Sequence, residues 1–179
     1  MTALPEPGPE AGEAELLLFA LERSRAQFAW KTSGLDAPAL RRAFPPSAMT
    51  LGGLLKHLAA VEERYTIDFS GRPPGPPLTS PEALSDPQWV WQSAFKDEPQ
   101  ELYALWQSSV TRSRAAMAPV LAEVDGLDRK AEYSTDDAGE SPNLRRILID
   151  LHDEYARHVG HADLLREAID GLVGEDPPA

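Results

Sequence analysis

The chain has 179 residues, no cysteine, and 29 acidic against 17 basic side chains, giving a formal net charge of −12 and a pI near 4.7. That length can bury a core without disulfides or a structural metal, while the acidic balance excludes a nucleic-acid binder or a polybasic membrane anchor, both of which need clustered Lys and Arg. No apolar run reaches the ~20 residues of a membrane span, and the opening MTALPEPGPEAGEAE has neither the basic nor the apolar region of a signal peptide, so the expected location is the cytoplasm.

Residues 1–10 carry three prolines and a glycine and read as a flexible tail. A first helix is expected from Ala11 to Trp30, where Leu17, Phe19, Leu21, Phe28 and Trp30 recur among charged residues. Gly34 stops it, and Asp36-Ala37-Pro38 begins a short helical turn. Thr50 is a good N-cap for a second helix over 51–69, with an apolar seam at Leu51, Leu54, Leu58, Val61 and Tyr65. Residues 70–87 (SGRPPGPPLTSPEALSDP) read as a long Pro-rich loop without helix or strand. A third helix starts near Asp97-Glu98-Pro99 and runs to about Val124, bending at Pro119. Residues 125–140 read as an acidic surface loop. Ser141-Pro142 opens a fourth helix that ends at Gly171, and 172–179 form a second tail. Four long helices without alternating strands predict an all-α, up-down-up-down four-helix bundle, a single domain over 11–171.

The chain has only four histidines, His57 on the second helix and His152, His158 and His161 on the last. The last helix has its seam at Leu144, Leu148, Leu151, Tyr155, position 158, Ala162, Leu165 and Ile169, and position 158 is a histidine. A polar ring facing a bundle interior must find a partner there. Glu154 stands one turn before His158, on neighbouring rows of one face. His57 borders the seam of the second helix, three residues after Leu54 and four before Val61. Brought together, His57, Glu154 and His158 make a two-histidine, one-carboxylate set with a fourth position open. That pattern suits catalytic zinc best, with Ni²⁺, Mn²⁺ or Fe²⁺ as further fits. His161 is placed as an outer partner or spare ligand. His152, turned away at about 100° per residue, is a decoy. A buried polar network without metal remains the alternative use of these residues.

Three blocks carry a family resemblance: GGLLKHLAAVEERY (Gly52–Tyr65), Asp86-Pro87-Gln88-Trp89, and LHDEYARHVGHADLLREAIDG (Leu151–Gly171). They resemble the DinB-like superfamily, in particular its mini-circle protein branch, and are similar to the N-terminal domain of mycothiol-dependent maleylpyruvate isomerases. The resemblance implies a four-helix bundle holding one divalent ion, with a Glu replacing one of three histidines, which falls on His57, Glu154 and His158. It further implies a low-molecular-weight thiol such as mycothiol as co-substrate, and a metal-dependent S-transferase acting on a small electrophile. Alternatives are a non-catalytic metal-binding or stress-response bundle, and a hydrolase using the same site. The expected partners are a small-molecule substrate and a second copy in a homodimer, with no nucleic acid or membrane. Arg145 and Arg146 are candidate anion contacts. Trp89, Trp91, Phe95 and Trp106 are expected to be core or loop-anchoring aromatics. The Ser70–Trp91 segment is expected to wall the open coordination position.

Overall fold

A computed structural model describes residues 5–133, 135 and 138–176. Four long helices account for most of them: α1 (Glu13–Thr32), α3 (Leu51–Ser70), α6 (Pro99–Leu121) and α7 (Leu144–Asp170). Short helices α2 (Ala37–Leu40), α4 (Pro81–Ser85) and α5 (Trp89–Ser93) and a 3₁₀ turn at Gly126–Asp128 fill the connections. The protein is all-α, with no strand among the described residues.

Local chemistry sets the helix ends. The Thr50 side chain accepts the Gly53 N–H at 3.0 Å to start α3, and Gly71, at φ 61°, closes it by donating its N–H to Ile67. Glu101 accepts the Glu98 N–H at 2.9 Å in a capping box that brackets Pro99, the first residue of α6. Pro119 removes a helical N–H near the end of α6, and the helix stops at Leu121, three residues before the expected Val124. Gly171, at φ 80°, ends α7 as expected.

Several expected boundaries move. Helix α1 begins at Glu13, with Glu13 and Glu15 complementing its N-terminal dipole, and runs on to Thr32. Helix α7 starts at Leu144 and not at Pro142. Residues 142–144 pair with 129–131, through Ala131 N–H to Pro142 O at 2.8 Å and Leu144 N–H to Arg129 O at 3.0 Å, so Asn143 becomes the cap. The Pro-rich stretch is not wholly irregular: Ser80 caps α4 and Pro81 occupies its first turn, where a missing N–H costs nothing. The second tail is held in part, since Asp176 accepts hydrogen bonds from Arg23 and Gln27 of α1; residues 177–179, like 1–4, lie outside the described residues.

The core gathers Leu21 and Phe28 of α1, Leu54, Leu55 and Leu58 of α3, Leu102, Trp106 and Val110 of α6, and Leu148, Leu151 and Tyr155 of α7. Helix α3 packs chiefly on α6 and α1 on α7, while α3 also meets α7. The buried face of α3 is rotated from the expected seam. Leu55, Leu58 and Glu62 are fully buried, whereas Val61 and Tyr65 are only half-buried. The cause is an ion pair. Arg25 (α1) donates to both Glu62 oxygens at 2.8 and 2.7 Å, and Tyr155 O–H donates to Glu62 Oε1 at 2.7 Å. Trp106 Nε1–H completes the set on the Tyr155 oxygen at 2.8 Å, so every buried partner is satisfied.

Candidate metal centre

Helix α3 presents His57 and α7 presents Glu154 and His158 to the seam between them. One oxygen, Glu154 Oε2, lies 3.4 Å from His57 Nε2 and 3.4 Å from His158 Nε2. The three ligand atoms fall within 4.8 Å of one another, the one such histidine–carboxylate grouping among the described residues. Contacts of 3.4 Å exceed the usual 2.7–3.2 Å of an N–H···O bond, so the carboxylate is poorly served by its two neighbours.

The electrostatics favour neutral rings. Burial, opposed by the Glu154 carboxylate, holds His57 below its ordinary pKa. His158 is pushed down to about 4, by burial first and then by the adjacent His57, against the pull of Glu154. Two imidazoles held neutral beside a carboxylate make a donor set that a divalent ion can use. A cation between them would find charge and donors in place, so the residues fit the group that the sequence suggests.

A family model described as mycothiol S-transferase matches residues 16–171. The chain belongs to the mycothiol S-transferase family. A crystal structure of the mycothiol-dependent maleylpyruvate isomerase shares the fold, with a TM-score of 0.59 and 18% identity over 83% of this chain. The match covers 60% of that protein, so the present chain spans less than two thirds of its length. No curated protein sequence matches.

In this mycothiol S-transferase family member, the other candidates sort by position. His161 approaches His158 from behind, Nδ1 to Nδ1 at 3.2 Å, a spacing that needs one proton between the two rings. With Nε2 of His158 facing Glu154, its Nδ1–H can donate to His161, which orients the ring. His152 takes no part in the cluster. Arg145 is engaged by Glu13 and Asp128, and Arg146 by Asp150 at 2.7 Å, on the first turn of α7 and at least two turns from Glu154. Arg157 pairs with Asp153 and Arg166 with Asp170.

Sequence reasoning brings the Ser70–Trp91 segment to the site but reads Trp91 as a core or loop-anchoring aromatic and does not single out its stacking. Trp91 of α5 stacks on His57, ring centroids 4.9 Å apart and planes 20° from parallel. Gly53 makes that approach possible, because a Cβ there would lie 2.9 Å from Trp91 Cε3. Gly53 and His57 are one helical turn apart, so both meet the same indole. Next to them Lys56, 1% exposed, reaches Asp97 at 2.5 Å and lies 4.1 Å over the Trp89 ring, which fastens α5 to α3. Nothing periodic marks Trp91 in a Pro-rich stretch. The Gly52-Gly53 pair inside an otherwise strong helix was the available signal, since a helical glycine often marks a close approach.

Proposed function

We propose that the chain is a metal-dependent S-transferase that joins a mycothiol-type thiol to a small electrophile, with His57, Glu154 and His158 as the metal ligands. The observation that carries this reading is the convergence of two neutral imidazole nitrogens on a single carboxylate oxygen, in a chain of the mycothiol S-transferase family. A divalent ion held there, zinc in this proposal, would lower the pKa of a thiol at its open side into the neutral range. The chain's own residues do the rest. Glu154 supplies the negative charge that offsets the ion, and His161 keeps His158 in the ligating tautomer. Trp91 covers one face of His57 and excludes water there. His57 and Glu154, with side chains 23% and 30% exposed, leave the cluster accessible to substrate. Because the protein has no cysteine, the nucleophilic sulfur comes from the co-substrate. The thiol gives up its proton to solvent, and its sulfur bonds to the electrophilic carbon as the bond from that carbon to its leaving group breaks, the leaving group departing to solvent with the bonding electron pair.

The proposal carries with it an antiparallel four-helix arrangement of α1, α3, α6 and α7 over 11–171, a cytoplasmic setting where small thiols stay reduced, and a homodimer that sedimentation equilibrium would read. Its test is elemental analysis of the purified protein together with mass-spectrometric detection of mycothiol conjugates on a generic electrophile. Stoichiometric metal with conjugation that stops on chelation supports the reading. Stoichiometric metal without conjugation moves the protein to the non-catalytic class.

A further inference from the structure

A groove of about 330 Å³ lies between α3 and α7, lined by Arg64, Tyr65 and Asp68 on one side and by Arg146 and Asp150 on the other, with Glu140 at its rim. The two helices run antiparallel along it: His57 faces Glu154 and His158, while Tyr65 faces Ile147 and Asp150 further along. Asp150 stands one turn before Glu154, a rise of ~6 Å. The groove therefore begins one helical turn along α7 from the candidate metal centre. Its volume is at the lower end of the ~300–1,000 Å³ typical of small-ligand pockets.

The chemistry of the lining restricts what it can hold. Two guanidinium groups face three carboxylates, so no net positive charge is available for an anion. Arg146 is already matched by Asp150 at 2.7 Å, while Arg64 has no carboxylate partner among the described residues and only leans on the Tyr65 ring. Planar guanidinium and carboxylate groups side by side present paired donors and paired acceptors, which suit the vicinal hydroxyls of a neutral polyol. The half-buried face of Tyr65 adds an apolar surface for a sugar ring.

We infer that this groove seats the uncharged polyhydroxylated end of the thiol co-substrate, the glucosaminyl-inositol of mycothiol, while the cysteinyl arm spans the one turn from Asp150 to the open side of Glu154. The inference rests on the transferase reading for its orientation, and on the groove itself for the class of ligand. It assigns Arg146 to sugar hydroxyls through its pair with Asp150, in place of the anion contact expected from sequence.

The test uses the full chain and N-acetylglucosaminyl-inositol, which keeps both rings and carries neither sulfur nor charge. Calorimetry should detect binding to the wild type, weakened at least about tenfold by Asp150→Asn and by Arg64→Ala, as loss of hydrogen bonds to charged groups implies. Arg64 is exposed, so its truncation leaves the fold in place. In the conjugation assay, the preference for mycothiol over N-acetylcysteine, as a ratio of kcat/KM, should fall by a similar factor in both variants. No binding of the sulfur-free probe by the wild type, or equal binding by all three proteins, would overturn the inference. Conjugation with an undiminished preference for mycothiol in the variants would also overturn it while leaving the transferase reading intact. Binding that the variants weaken, without conjugation by any protein, would keep the groove and remove the transferase.

Discussion

Tyr155 and Glu154 are chain neighbours on α7, yet they join polar clusters of opposite kinds. Tyr155 belongs to the Arg25–Glu62–Tyr155–Trp106 network, in which each buried donor meets an acceptor at 2.7–2.8 Å and opposite charges cancel. Glu154 belongs to the histidine cluster, where contacts are 3.4 Å and both imidazoles sit below their ordinary pKa. The first cluster is complete and closed to water. The second is charged, loosely contacted and open on one side. A polar group buried for architecture is satisfied by the protein; a polar group held for binding keeps a lone pair free. The difference makes the two clusters separable by mutation.

The largest effect should come from breaking the closed network. Arg25→Met leaves the Glu62 carboxylate buried without its cation, and removing one partner of a buried pair costs ~3–5 kcal/mol. Denaturant unfolding should read that loss, and any protein that remains folded should still bind metal through His57, Glu154 and His158. Glu154→Gln should do the reverse. It removes the one negative charge of the ligand set, so metal affinity should fall by at least the ~10–100-fold that outer-shell changes cost. The wild type should melt higher with metal than after chelation, by mass action on the native state. The Gln variant should lose most of that difference and match the chelated wild type.

Gly53→Ala tests the wall between the clusters and solvent. The added methyl must displace Trp91 from His57, with an overpacking cost of ~1–3 kcal/mol. Tryptophan fluorescence should change on metal addition in the wild type and lose that dependence in the variant. A smaller effect concerns acid. His158 titrates near 4 when folded against 6.5 as a free side chain, so the unfolded chain takes up its proton first. The metal-free protein should lose stability as pH falls from 6.5 toward 4, and His158→Gln should flatten that part of the profile. Metal occupancy should fall in the same direction, because protons compete for the imidazoles.

The contrast also explains what the sequence disclosed. Helix α7 was legible because an apolar run with steps of three and four fixes its phase, and a histidine on that phase stands out. Glu154 followed from its spacing to His158. The closed network was not legible, since a charged residue is ordinarily assigned to solvent. Apolar spacing alone therefore runs the seam of α3 through Val61 and Tyr65 and not through Glu62. Only the distant Arg25, on another helix, makes that burial affordable. Trp91 was hidden for a different reason: a stretch of prolines and short turns has no period from which to read a facing.

The metal site depends on the phase of α7, and metal content in two histidine variants reads that phase directly. His152→Ala should retain stoichiometric metal, because His152 lies off the face that carries Glu154 and His158, whereas His158→Ala should lose it while remaining folded on its apolar core. Metal lost with His152 and kept without His158 would contradict the site.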